Sequence, residues 1–224
     1  MSRRPFDPAF AALPRTIPVF PLPGVLLLPD GRLPLNVFEP RYLNMVQDAL
    51  AGDRIIGMIQ PQGEERPDGP PPALWRTGCA GRIVAFSETD DGRYLITLAG
   101  LCRFAVGDEV PTTRGYRRVI ADWAPFADDM EDGPAPVLDR TRLLQAIEAY
   151  FKAEGLSADW DTIKNTPDDR LVVALSMVCP FGPSEKQALL EASDATQRGE
   201  TLIALMEMAA VTPPSAEDPS TQRH

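Results

Sequence analysis

The sequence predicts an α+β chain in which a small, partly open β-barrel with one early helix precedes a C-terminal helical bundle. Three observations predict it. Short β-rich runs fill the first half and include an Asp-Gly hairpin signal. One helical pattern interrupts them near residue 40. After an acidic Gly/Pro stretch the apolar period changes from two to about 3.6.

The strands come first. Ile17-Pro-Val-Phe20 and Val25-Leu-Leu-Leu28 are β-rich runs separated by Pro21, Pro23 and Gly24. Leu33 to Phe38 alternates, and Ile55 to Ile59 is a continuous apolar run. The Pro-rich, charged segment from Gln60 to Pro72 reads as an exposed loop. Gly81–Ser87 and Arg93–Ala99 then flank Asp90-Asp91-Gly92, where a tight turn needs positive φ. Cys102 to Val106 alternates cleanly, and Tyr116 to Trp123 reads as the last strand.

The early helix begins in Phe38-Glu-Pro-Arg-Tyr42. Pro40 suits the first helical position, where its missing N–H is no loss. Glu39 falls at the cap, and Phe38 and Leu43 have the spacing of a hydrophobic staple. Tyr42, Val46 and Leu50 share one face. Glu39, Arg41 and Tyr42 look like chemistry, yet no Ser, Cys or His stands beside them. They are read as a helix start, not a catalytic group.

Residues 1–126 are thus expected to form the β domain, 127–136 an acidic linker, 137–212 the helical bundle and 213–224 a disordered tail. In the bundle, Leu143, Leu144, Ile147, Tyr150 and Phe151 share a face, with Gly155 placed to stop the helix. Thr166-Pro-Asp-Asp169 reads as the start of a helix with the stripe Leu171, Val172, Leu175 and Val178. Ser184-Glu-Lys-Gln187 reads as a capping box, and Leu202, Leu205, Met206 and Ala209 line a last helix.

Composition narrows the function. With 22 Lys+Arg against 32 Asp+Glu, the formal charge is −10, which disfavours nucleic acid and anionic membranes as partners. Arg114, Arg117 and Arg118 form a local basic group, read as a solvated strand edge. Cys79, Cys102 and Cys179 are widely spaced, and the sole histidine is His224, so neither a structural zinc site nor a disulfide framework is expected. That cysteine usage suits a reducing, cytoplasmic compartment. The opening MSRRPFDPAF carries no apolar stretch of a secretory signal, and no run spans a bilayer.

No catalytic, metal or cofactor-binding residue is assigned. Asp128, Asp129, Glu131 and Asp132 raise the alternative of paired-carboxylate hydrolysis or weak cation binding, but they read as a solvated linker without Ca²⁺-loop spacing. There is no G-x-x-x-x-G-K-[ST] phosphate loop, and Ser176, Ser184 and Ser193 sit in no nucleophile elbow. Trp75, beside the Pro-rich loop, is the one candidate contact for a bound peptide.

Several stretches, taken in order, resemble the N-terminal domain of the Lon ATP-dependent protease family. They are Ile17-Pro-Val-Phe-Pro-Leu-Pro-Gly-Val25, Leu33-Pro-Leu-Asn-Val-Phe-Glu-Pro-Arg-Tyr42, Gly78-Cys-Ala-Gly-Arg-Ile-Val84 and Tyr94-Leu-Ile-Thr-Leu-Ala-Gly-Leu-Cys-Arg-Phe104. Asp169-Arg-Leu-Val-Val-Ala-Leu175 and Glu185-Lys-Gln-Ala-Leu-Leu-Glu191 continue the likeness. The resemblance implies a PUA-like β domain followed by a helical bundle, the module that helps Lon select substrate proteins. It also implies a standalone form, since Lon carries its ATPase and Ser-Lys peptidase after this region. The expected function is a non-catalytic protein- or peptide-binding module for polypeptide clients, acting as an adaptor beside a separate protease. The alternative is a scaffold or regulatory domain for one folded partner or a small ligand. RNA binding, suggested only by a PUA-like shape, is disfavoured by charge.

Overall fold

A computed structural model describes residues 6–63, 69–131 and 133–211. The expected tail, 213–224, lies outside the described residues. Six strands and six α-helices follow in the order β1 (Thr16–Pro21), β2 (Arg32–Val37), α1 (Pro40–Ala51), β3 (Ile55–Ile59), β4 (Thr77–Glu88), β5 (Tyr94–Glu109), β6 (Arg117–Asp122), α2 (Arg140–Ala153), α3 (Trp160–Asn165), α4 (Asp168–Val178), α5 (Pro183–Glu191) and α6 (Ala195–Val211). The α+β class is as the sequence predicts. Among the described residues, no helix is long and apolar enough to cross a membrane.

The chain divides into two compact units. One holds residues 1–134 and 173–191, the other 135–172 and 192–224. The division after residue 134 falls within the segment expected as a linker, 127–136, and the difference lies in residues 173–191. The segment Val173–Glu191 was read as part of the bundle, but Gln187 is bonded to Gln60 and to the Thr77 carbonyl of the β unit.

In the first unit the sheet order is β2-β5-β4-β3-β1-β6. β1 and β3 run parallel, and the crossover that such a pair requires contains β2 and α1. β3 lies between β1 and β4 and is buried at every position, which is why its sequence does not alternate. β6 also touches the far half of β5, at Ala105–Asp122, Val106–Ala121 and Glu109–Val119, across a register shift. The ring of strands is drawn together there without closing into a true barrel.

Two expected strands behave differently. Val25–Leu28 makes no strand, although Leu26, Leu27 and Leu28 are all buried. Arg93–Ala99 and Cys102–Val106 merge into the single long β5. Gly100 looked like a break between them. Its function is close approach: a Cβ there would stand 1.9 Å from the Leu28 carbonyl oxygen. Gly100 N–H donates to the Gly31 carbonyl, and Asp30 N–H to the Gly100 carbonyl, so the Leu26–Leu28 segment is held against the sheet.

The barrel core gathers Ile17, Val19, Ile55, Ile59, Leu101, Phe104, Val119 and Trp123. Phe104 meets Trp123 edge-on at 5.7 Å between centroids. Gly57 and Gly78 make room for the Phe104 ring, which a Cβ at either would reach within 3 Å. α1 lays Tyr42 against Phe20, 4.2 Å between rings, and Met45, Val46 and Ala49 complete its buried face. Glu39 is its cap residue, yet the carboxylate pairs with Arg41 and makes no cap bond.

In the second unit α2 and α6 pack together, and Arg142 forks onto Glu207 at 2.8 Å with a further bond to Glu200. Asp139 caps α2 by accepting from the N–H groups of Thr141 and Arg142. Gly155, at φ 65°, ends it as expected: Leu156 N–H reaches the Phe151 carbonyl. α3, which the sequence reading passed over, is capped by Asp159. Thr166 does not cap α4; its hydroxyl donates back to the Thr162 carbonyl and closes α3.

Gly100→Ala has no way to fit without displacing backbone. We expect a loss of about 3 kcal/mol or more of stability, read as a lower urea midpoint with unchanged slope.

Candidate polypeptide-binding surface

The buried polar groups come first, because they are where chemistry would sit. Arg103 lies on β5 with its guanidinium buried, and Asp129 meets it from the turn after β6, Nε to Oδ2 at 2.9 Å and Nη2 to Oδ1 at 2.8 Å. Asp129 Oδ2 also accepts the Arg103 backbone N–H, and Arg103 Nη1 donates to the Leu190 carbonyl at the end of α5. Burial pulls the Arg103 pKa down, and the Asp129 carboxylate more than reverses this. The expected solvated acidic linker is therefore corrected in part. Asp129 is an ion-pair partner and Met130 is buried, while Asp128 stays exposed and Asp132 lies outside the described residues.

Gln60 and Gln187 form a second buried group. Gln60 Nε2 donates to the Pro183 carbonyl at 2.8 Å, and its Oε1 accepts from Gly24 N–H. Gln187 Nε2 donates to the Thr77 carbonyl and to Glu191. The capping box read at Ser184 is thus displaced by two residues. Glu185 reaches back to Gly182 N–H at 2.7 Å, and Gln187 is spent on the sheet. Val178, expected in the α4 stripe, is 80% exposed, because the buried face turns through Ser176 to Cys179.

None of this makes a reactive centre. Cys79, Cys102 and Cys179 are buried thiols. Burial, aided by the Asp129 charge and opposed by Arg103, pushes the Cys102 thiol up to about 12, so it stays protonated. Burial lowers the Lys186 pKa, and its ammonium donates to the Met177 carbonyl at 3.3 Å. Among the described residues no group of His, Cys, Asp and Glu is arranged to hold a metal ion. The basic group near residue 114 is largely committed: Arg114 pairs with Asp48 and Arg117 with Glu109.

An exposed apolar group lies at the free end of the β4–β5 hairpin. Phe38, Phe86 and Leu95 are 61%, 45% and 44% exposed. The register places Leu95 on one face of the sheet and Phe86, the neighbour of its partner Ser87, on the other. Phe86 pairs with Ile96, Leu95 with Ser87 on one side and Asn36 on the other, and Phe38 follows Val37, the partner of Tyr94. The Phe86 ring stands 5.1 Å from Tyr94, whose hydroxyl accepts from Gln47 of α1. Arg93 lies over Phe38 at 5.8 Å. Phe38 therefore does not close down as the expected staple. Beside it runs β2, which pairs with β5 alone. Its outer edge is blunted by Pro34.

Trp75 stands elsewhere. It is half-buried, donates its backbone N–H to the Gln60 carbonyl at 3.0 Å, and precedes β4 at the end opposite Phe86. The structure does not bring it to the hairpin end. Exposed apolar residues gathered at one strand end are not visible from sequence, where Phe38, Phe86 and Leu95 read as ordinary strand and staple positions.

Residues 16–208 match the family described as the ATP-dependent protease La (LON) substrate-binding domain. The chain belongs to that family. It is similar to Lon protease 2 of Myxococcus xanthus, 30% identical over 198 residues, and to the Lon protease of Escherichia coli, 29% identical over 201 residues. These alignments take in 87% and 85% of this chain but 24% of each relative, so the chain spans about a quarter of their length. Two solved structures share the fold. The Lon N-terminal domain protein of Xanthomonas campestris superposes with a TM-score of 0.58 at 24% identity, covering 84% of this chain and 97% of that one. The N-terminal domain of the Mycobacterium avium complex Lon protease gives 0.60 at 16% identity, covering 86% and 98%. These residues correspond to the substrate-binding region of Lon.

Asp129→Ala leaves the Arg103 charge buried and unpaired. We expect it to cost about 3–5 kcal/mol, measured by chemical denaturation. Phe86→Ser and Leu95→Ser should change stability by no more than about 0.5 kcal/mol, as befits exposed positions.

Proposed function

We propose that this domain binds unfolded polypeptide clients at the apolar end of the β4–β5 hairpin. The observation that supports the reading is the exposure of Phe38, Phe86 and Leu95 at one end of the sheet, on three neighbouring elements, with Phe86 and Leu95 on its two faces. Single exposed apolar residues are ordinary, whereas three around one strand end point to an interaction surface. Membership of a substrate-binding family supports a polypeptide as the occupant. An extended client lying along β2 would find apolar contacts at the hairpin end and a partial ladder at the strand edge.

Selectivity for unfolded chains follows from that geometry. A folded protein buries the apolar segments that this surface needs and keeps its own strands paired. Trp75 is proposed as a second contact: its indole is half-buried beside the Pro-rich segment and offers a flat amphipathic ring. The −10 formal charge supports a polypeptide over nucleic acid, and client delivery to a protease is the role this reading gives the domain.

The test is fluorescence anisotropy of a labelled, permanently unfolded polypeptide titrated with the protein, its folded form serving as control. Saturable binding to the unfolded form alone is expected. The double variant Phe86→Ser/Leu95→Ser should weaken it by about tenfold or more, the scale of a lost hot spot. Undiminished binding in that variant would remove the hairpin end from the mechanism. Trp75→Ala is expected to weaken binding without lowering the melting temperature, and an unchanged affinity would exclude Trp75.

A further inference from the structure

A groove of about 840 Å³ in the β unit is lined by Phe6, Arg32, Asp53, Arg54 and Arg82, among others. Its floor is set by register. Ala99 of β5 pairs with Arg32 of β2 on one side and with Arg82 of β4 on the other, and Arg82 pairs in turn with Ile55, the residue after Arg54. Paired residues on neighbouring strands point to one face, so two arginines straddle a small alanine with Cα atoms about 10 Å apart. In a chain of formal charge −10 this is a local reversal of sign.

One of the three arginines already holds a carboxylate. Arg82 donates from Nε and Nη2 to Oδ1 of Asp7, at 3.0 and 2.8 Å, and both side chains are largely buried. Asp7 arrives on the segment before β1, with Phe6 at the groove rim, 82% exposed. Among the described residues, Arg32 and Arg54 form no ion pair. Arg54 also holds φ at 60°, in the left-handed region that favours glycine, while its carbonyl accepts from Ile83 N–H and its N–H donates to the Ala49 carbonyl. An arginine kept where glycine fits better is consistent with a use for its side chain.

We infer that this groove is a second polypeptide site, selective for extended segments that carry carboxylates, and that Asp7 of the chain itself fills part of it. The seated Asp7 shows which chemistry fits: one guanidinium takes its carboxylate, and the two unpaired ones are placed to take a further acid on a longer segment. The cis segment competes with any client, so the site is held partly closed. The inference rests on the reading of the domain as a polypeptide binder, but it concerns other residues than the hairpin end.

The probe is a labelled, end-blocked peptide of sequence PFDPAFAALP, titrated into the full chain by anisotropy at low and high salt. Asp7→Asn, which removes the internal competitor, is expected to bind it at least tenfold more tightly than the parent. Arg32→Ala/Arg54→Ala, at exposed positions, should weaken an end-blocked acidic variant, PFDPEFEALP, about tenfold while leaving the melting temperature and the capture of unfolded polypeptide unchanged. Added salt should weaken every one of these complexes, because the ion pairs are partly solvated. The inference is overturned if Asp7→Asn gains no affinity, if the arginine variant binds the acidic peptide as well as the parent, or if a ten-nucleotide RNA binds more tightly than either peptide. Loss of unfolded-polypeptide capture alone, with peptide binding intact, would instead sink the hairpin reading and leave this one standing.

Discussion

The β unit depends on one buried ion pair. Arg103 enters the interior from the middle of the longest strand, and Asp129 and the Leu190 carbonyl are the partners that make its charge tolerable there. A buried pair is poor evidence of net stability, since desolvation offsets most of the Coulomb gain. What it does supply is position. Only when the turn after β6 and the end of α5 both reach β5 are the guanidinium's donors satisfied. The two elements come from sequence positions 26 and 87 residues away, so misplacing either leaves a charge stranded. Gln60 and Gln187 act in the same direction with neutral groups, tying α5 to the sheet at Pro183 and Thr77.

This explains why the segment Val173–Glu191 belongs to the β unit although it is helical and follows three other helical segments. Sequence periodicity reports which face of a helix is apolar, not what that face meets. α5 buries Lys186 and Gln187 along with Leu189 and Leu190, so half of its interior is polar and its stripe is weak. A pattern reading sees Gln187 as the end of a capping box because Gln is common there. Long-range hydrogen bonding, which no local window contains, decided otherwise.

Where local chemistry suffices, the sequence was legible. Pro40 at the first turn, Gly155 at the end of α2, the Asp91-Gly92 turn and the apolar run of β3 all act through nearest neighbours, and each stands where it was read. Val25–Leu28 and Gly100 mark the limit. An apolar, β-branched-to-aliphatic run has strand propensity, but the Leu28 carbonyl crosses directly over Gly100 and the segment packs on the sheet without pairing in it. The candidate surface was the least legible of all. Trp75 stood out by residue type, whereas Phe38, Phe86 and Leu95 are distinguished only by which strands end where.

The strand lengths supply that last distinction. β4 and β5 have 12 and 16 residues, while β2, β3, β1 and β6 have five or six. β2 follows β5 to its start at Tyr94, but β3 pairs with β4 only as far as Arg82, so among the described strands the end of β4 has no partner on its far side. A sequence optimised only for stability would fill such positions with charged or turn-forming residues, since apolar groups gain nothing there and invite edge-to-edge association. Glu88, Thr89, Asp90, Asp91 and Arg93 do this at the tip itself. Phe86 and Leu95, one step in from that polar tip and next to Phe38, do not. The tip limits non-specific pairing while the apolar step behind it stays open, which is the arrangement a reversible polypeptide-binding surface requires.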